Sequence, residues 1–205
     1  SDYGLRRAQG EASMPASRAA FIAGVIATSN VMAGKLFGIP ISGTMAHSFV
    51  MSYPTQLEAF RKYAQIYRGR KPVLLIDTYD TIQGAKDGLV VADELRQQGY
   101  QLFAVRIDSG DLAGLSKQVR RMFDEAGYDG KKYHKILIFV SSDLDEYKIT
   151  ELLEAGAPID GFGVGTMMIT GGEQSVLKGE FGGVVDLSED GLKKVNLRRL
   201  KPQTP

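Results

Sequence analysis

Val73-Leu74-Leu75-Ile76-Asp77, Leu102-Phe103-Ala104-Val105-Arg106-Ile107-Asp108 and Ile136-Leu137-Ile138-Phe139-Val140-Ser141-Ser142-Asp143 are short apolar runs that each end on polar residues, and they decide how this chain folds. Amphipathic stretches separate them: one from about Thr81 to Gln98 stopped by Gly99, one ending near Gly127, and one ending near Gly156. A further run, Ile159 to Val164, ends in Gly165-Thr166. Runs without polar alternation predict strands buried on both faces, as in parallel sheets covered by helices. The expected fold class is therefore α/β, either a doubly wound sheet or a (β/α) barrel. In both architectures the residues at strand C-termini line the site.

Upstream, Ala19, Ile22, Ala23 and Ile26 recur at helical spacing between Pro15 and Asn30, and Ile39 to Thr44 reads as a short strand. Pro54 opens a helix whose buried face carries Leu57, Phe60, Tyr63 and Ala64. Downstream, residues 177–187 and 195–200 flank Ser188-Glu189-Asp190-Gly191, the pattern of a C-terminal β-hairpin. The expected organisation is one α/β domain over 1–176, with the hairpin and tail of 177–205 packed on it.

The composition narrows the function. Of the 205 residues, 25 are Lys or Arg and 24 Asp or Glu, a net charge of +1, and the two signs are interspersed. No electrostatic footprint for nucleic acid or anionic lipid is present, so small molecules are the expected partners, with no nucleic acid and no membrane. The chain has no cysteine, which excludes disulfides, thiolate zinc sites and thiol nucleophiles, and fits a reducing cytoplasm. No apolar run approaches the roughly 18 to 20 residues that cross a bilayer. From its opening at Ser1-Asp2 without Met, the chain is expected to be a piece of something longer.

Several motifs carry chemistry, each beside a plainer reading. Gly163-Val164-Gly165-Thr166 brings backbone N–H groups and a hydroxyl to a strand end, suiting a phosphate, although a Gly-rich turn there is as common. Arg106-Ile107-Asp108-Ser109-Gly110-Asp111 places a cation and carboxylates around a tight turn, suiting ribose hydroxyls and a hydrated divalent metal. The same turn serves equally to cap the next helix. Asp77 and Asp143 end neighbouring strands and favour a site; with Asp77 and Asp111 as metal residues, the set suits Mg²⁺ on a pyrophosphate substrate. Of the two histidines, His134 lies in a charged connection and reads as a solvated surface residue. His47 faces the strand-end rim as a base or nucleophile, or else merely packs there. Arg6 is by default a surface cation, and otherwise a fork for a carboxylate.

Read in order, Tyr3-Gly4-Leu5-Arg6-Arg7-Ala8-Gln9-Gly10, Ala16-Ser17-Arg18, Thr28-Ser29-Asn30-Val31, Gly43-Thr44-Met45-Ala46-His47-Ser48, Asp77-Thr78-Tyr79-Asp80-Thr81, Arg106 to Asp111 and Phe162 to Thr166 resemble the barrel motifs of nicotinate phosphoribosyltransferases. The resemblance covers roughly residues 3 to 166 and is to an ordered series rather than to one motif. It implies an irregular or incomplete (β/α) TIM-like barrel. It also implies transfer of phosphoribosyl from phosphoribosyl pyrophosphate to nicotinate in NAD biosynthesis, coupled to ATP hydrolysis through a phosphohistidine, with Mg²⁺ and without zinc. His47 would be that histidine, with Asp108 the catalytic carboxylate at the ribose. Tyr3, Arg6, Ser29 and Arg106 would surround the pyridine and its carboxylate, Asp143 would join the substrate site, and Gly163, Gly165 and Thr166 would hold the 5′-phosphate. Members of the family carry a further N-terminal region and work as homodimers, so a chain without that region would be slow or inert.

Rival expectations remain open. A nicotinamide phosphoribosyltransferase shares the chemistry, but Ser29 stands where an Asp would accept the amide N–H. An aldolase or isomerase barrel calls for a strand-end Lys or Glu, and no Lys occupies such a position. A binding scaffold without activity is the third.

Overall fold

The computed structural model describes residues 1–8 and 10–170; the expected hairpin and tail lie outside the described residues. The elements alternate once the chain reaches its first apolar run. Helices α1 (Ser13–Ile22), α2 (Val31–Phe37), α3 (His47–Met51) and α4 (Gln56–Tyr67) precede strand β1 (Val73–Leu75). Then follow α5 (Thr81–Gln97), β2 (Ala104–Ile107), α6 (Leu112–Glu125), β3 (Leu137–Val140), α7 (Glu146–Glu154), β4 (Gly161–Phe162) and α8 (Thr166–Thr170).

The strands form one parallel sheet in chain order, β1-β2-β3-β4, with Leu75 beside Arg106, Arg106 beside Phe139 and Val140 beside Phe162. Parallel neighbours need a crossover, which α5, α6 and α7 supply. Beyond β4 the sheet continues through single parallel bridges, Val164 to Asp2, Asp2 to Thr28 and Thr28 to Ile41. The expected strand over 39–44 is thus reduced to one bridge at Ile41, where the Pro40 carbonyl accepts from the Thr28 N–H and the Ser42 N–H donates to the Thr28 carbonyl. The expected helix over 15–30 ends at Ile22, where Gly24 adopts φ 107° and the chain becomes extended at Thr28.

Leu74, Leu75, Ile76, Val105, Ile107 and Ile138 are fully buried in one cluster with Tyr128 and with Phe60, Val91 and Phe123 of the helices. Each such side chain contributes about 1.5 to 3 kcal/mol. The crossover helices begin at side-chain caps: Asp80 accepts from the Gln83 N–H, Asp111 from Gly114 and Asp145 from Lys148. These caps stop each loop a few residues after its strand, which leaves the strand-end polar residues on a single rim. His134 lies at the other end and is not a solvated residue: half-buried, its ring nitrogen meets the Leu102 carbonyl at 2.9 Å and its ring packs edge-to-face with Tyr128. A buried carbonyl needs a partner, and the imidazole is within reach.

Gly84 sets how closely α5 lies on β1, since a Cβ there would fall 2.0 Å from the Ile76 carbonyl oxygen. Gly84→Ala should lower stability by roughly 2 kcal/mol despite its better helix propensity. The expected fall in melting temperature is about 4 to 8 °C, and a variant as stable as its parent would show that the approach is relaxed at little cost.

Candidate active site

Asp77 follows β1 and is the foundation of the rim. Its side chain is 1% exposed, and Oδ2 accepts from the Asp108 backbone N–H at 2.9 Å and from the Ser109 hydroxyl at 2.6 Å. The end of β1 therefore fixes the turn at the end of β2. Its other oxygen, Oδ1, is buried without a hydrogen-bond partner and lies 4.0 Å from His47 Nε2.

His47, the first residue of α3, hangs over this pair. Nε2 is 3.6 Å from Asp108 Oδ2, and Nδ1 is 3.2 Å from the Thr78 hydroxyl. Nε2 thus faces the two carboxylates and Nδ1 faces the Thr78 hydroxyl. With its side chain 38% exposed, the ring is open to a reactant.

Arg106 spans the rim from β2. One guanidinium arm donates to the Met45 carbonyl at 3.2 Å, in the loop that carries His47, and the other to Ser141 Oγ at 3.1 Å, at the end of β3. Ser141 in turn donates to Asp108 Oδ1. The guanidinium also faces the Tyr3 ring at 5.9 Å. Burial raises the Tyr3 phenol above its ordinary pKa, against the opposing pull of Arg106, so it is a neutral hydrogen-bonding group at neutral pH.

The N-terminal segment reaches this place because Asp2 is fully buried as a hub. Its carboxylate accepts from the Gly4 N–H and from the Ser17 and Thr28 hydroxyls, at 2.7 to 2.8 Å, and its backbone carbonyl accepts from the Ser29 N–H. A buried carboxylate persists only with such partners. Tyr3, Arg6 and Ser29 are thereby carried to the rim.

Two adjoining cavities result, with Tyr3, Arg6, Arg106 and Asp108 lining both. One, about 220 Å³, extends to Asp143, Gly163, Gly165 and Thr166. The other, about 410 Å³, extends to Ser29 and His47. Every expected substrate and catalytic residue is thus brought together. At the end of β3, Ser142 and Asp143 hold φ of 108° and 42°, a region that non-glycine residues adopt uncommonly.

Neither of the two expected metal residues lines these cavities. Asp77 sits beneath the pocket floor, and Asp111 caps α6 beside a separate groove with Leu144 and Lys148. Gly114 makes room for that cap, since a Cβ there would fall 2.2 Å from Asp111 Oδ2. Among the described residues no group of three or more His, Asp or Glu is arranged to hold a metal. Gly163 has a packing duty as well: a Cβ there would meet the Tyr3 ring at 2.5 Å. Thr78, Ser141 and Asp2 complete the site without an expected role, although Thr78 and Ser141 share the strand-end position of Asp77 and Asp108.

The model of the nicotinate phosphoribosyltransferase (NAPRTase) family matches residues 1–179. The chain is 45% identical over 192 residues to a nicotinate phosphoribosyltransferase of Bacillus subtilis, covering 93% of this chain and 37% of that protein. It is 44% identical to one from Mycobacterium tuberculosis, over 82% of this chain and 35% of that one. It thus spans little more than a third of these relatives. Among solved structures, human nicotinic acid phosphoribosyltransferase superposes with a TM-score of 0.72 at 29% identity, over 80% of this chain and 43% of that one. A nicotinate-nucleotide pyrophosphorylase from Pyrococcus furiosus gives 0.70 at 28%, over 84% and 42%.

As a cap, Asp111 can be tested by stability alone. Asp111→Ala should cost about 1 kcal/mol in urea unfolding and Asp111→Ser should recover most of it, with Mg²⁺ making no difference to the gap. A gap that opens only when Mg²⁺ is present would return Asp111 to the role of a metal ligand.

Proposed function

The chain belongs to the nicotinate phosphoribosyltransferase family, and from that premise we propose that its rim joins nicotinate to the phosphoribosyl group of phosphoribosyl pyrophosphate. The supporting observation is the convergence of Tyr3, Arg6, Ser29, Arg106, Asp108 and His47 on two adjoining cavities. The pyridine nitrogen attacks ribose C1, the bond from C1 to the pyrophosphate oxygen breaks, and nicotinate mononucleotide and pyrophosphate leave. Between Tyr3 and Arg106 the ring finds an aromatic face and a guanidinium. Arg6 gives its carboxylate a charge-assisted fork and Ser29 a hydroxyl donor.

The ribose becomes cationic as the leaving group departs, and Asp108, beside the cavities with its side chain 26% exposed, stabilises that charge. Gly165 and Thr166 suit the 5′-phosphate with a backbone N–H and a hydroxyl, while Asp143 borders the same cavity. Mg²⁺ would neutralise the pyrophosphate; of the carboxylates around His47, Asp108 is the one open enough to assist in holding it.

His47 serves the coupling step. Its neutral Nδ1 attacks the γ-phosphorus of ATP, ADP leaves, and water later releases phosphate, so that ATP and water are consumed for each turnover. The Nε2 proton, held toward Asp77 and Asp108, offsets the charge on the phosphorylated ring. The expected cytoplasmic location and homodimer belong to this reading, as does a barrel in which the bridges through Asp2, Thr28 and Ile41 carry the sheet round toward closure.

Incubation of the chain joined to the N-terminal region that family members carry with nicotinate, phosphoribosyl pyrophosphate, Mg²⁺ and ATP should give nicotinate mononucleotide by mass, and its absence would remove the reading. His47→Ala should abolish acid-labile labelling of the protein by γ-labelled ATP while retaining slow, uncoupled transfer; persistent labelling would move the phosphate elsewhere. Arg6→Ala should lower kcat/KM for nicotinate roughly 10- to 100-fold and affect nicotinamide less. Ser29→Asp should shift preference toward the amide, and unchanged ratios in both variants would detach these residues from the ring substituent.

A further inference from the structure

We infer that Ser141 is a positioning residue of this site: its hydroxyl, standing between the Arg106 guanidinium and the Asp108 carboxylate, keeps the two apart and so keeps both available to substrate. The inference rests on the functional reading above and adds to it a residue with no role there.

Ser141 is 4% exposed at the end of β3 and is pinned by its backbone, whose N–H donates to the Ile107 carbonyl at 3.0 Å. Its Oγ accepts from Arg106 Nη1 at 3.1 Å and donates to Asp108 Oδ1. Both capacities of the hydroxyl are used on groups of opposite charge. Arg106 Nη1 and Asp108 Oδ1 are 3.5 Å apart, with side chains 12% and 26% exposed. At that distance and burial a guanidinium and a carboxylate close to direct contact unless something intervenes, since a charge-assisted pair is shorter and stronger. The hydroxyl bridges the two ions, and the ion pair stays at 3.5 Å rather than closing to direct hydrogen-bonded contact.

Two consequences follow for the site. A closed pair would pull Asp108 toward Arg106 and away from His47 Nε2, now 3.6 Å from Oδ2. It would also rotate the guanidinium whose other arm donates to the Met45 carbonyl, two residues before His47. Ser141 therefore holds β2, β3 and the His47 loop in one arrangement. A serine that merely satisfied buried polar groups would affect stability and leave this arrangement unchanged.

The test is Ser141→Ala beside Ser141→Thr, which restores a hydroxyl. In Ser141→Ala, kcat/KM for phosphoribosyl pyrophosphate should fall roughly 10- to 100-fold, chiefly through kcat, while KM for ATP and the melting temperature change little. Ser141→Thr should recover most of the loss. A crystal structure of Ser141→Ala should show Arg106 Nη1 in direct contact with Asp108. Wild-type kinetics in Ser141→Ala, a parallel fall of every parameter with stability that Thr does not rescue, or retention of the present separation in the crystal would each overturn the inference. Should the unaltered protein form no nicotinate mononucleotide, the functional reading fails, and the crystallographic distance still decides the role of Ser141.

Discussion

A single buried carboxylate oxygen, Oδ2 of Asp77, holds the end of one strand to the turn that leaves the next. The functional rim depends on this clamp. Parallel strands bring their C-termini to one edge, but they do not by themselves fix the loops beyond them. Asp77 does so by accepting a backbone and a hydroxyl donor from residues 108 and 109, which aims the Asp108 side chain across the pocket toward His47. From Asp108 the network passes through Ser141 to β3 and through Arg106 to the His47 loop. Three strand ends and one helix start are thus tied by side chains that would each be costly to bury alone.

A second buried carboxylate does for the N-terminal segment what Asp77 does for the strand ends. Asp2 takes donors from Gly4, Ser17 and Thr28, and its single bridges join Val164 on one side to Thr28 on the other. Residues far apart in the chain become neighbours on the sheet. The absence of a side chain at Gly163 lets the Tyr3 ring lie against β4, and so completes the wall opposite Arg106.

Much of this was legible in the residues. The apolar runs of β1, β2 and β3 lack the alternation of half-exposed strands, and in the structure β1 is buried throughout, while in β3 buried Ile138 and Val140 alternate with half-buried Leu137 and Phe139. Asp77, Arg106, Asp108 and Asp143 stood out because polar residues immediately after buried runs have nowhere to go but the rim. What was not legible depends on contacts between distant segments. Ile39 to Thr44 has strand character, yet its pairing reduces to one bridge, which no local pattern encodes. Asp2 lies in no periodic stretch, and its burial requires Ser17 and Thr28 to arrive from elsewhere. Asp111 carries the same residue type as Asp108 three positions earlier, but it stands immediately before α6, and the cap claims its carboxylate. Ser141 looked like one more polar strand end; only the placement of Arg106 and Asp108 on either side of it gives the hydroxyl a task.

The account makes one rim, at the C-terminal ends of the strands, the place where the nucleotide is made. The most direct test is a crystal structure with nicotinate mononucleotide bound. The pyridine should lie between Tyr3 and Arg106 with its carboxylate toward Arg6, the ribose hydroxyls at Asp108 and the 5′-phosphate at Gly165 and Thr166. A nucleotide bound at the opposite end of the strands, in the groove beside Arg68, Lys71 and Lys135, would contradict it.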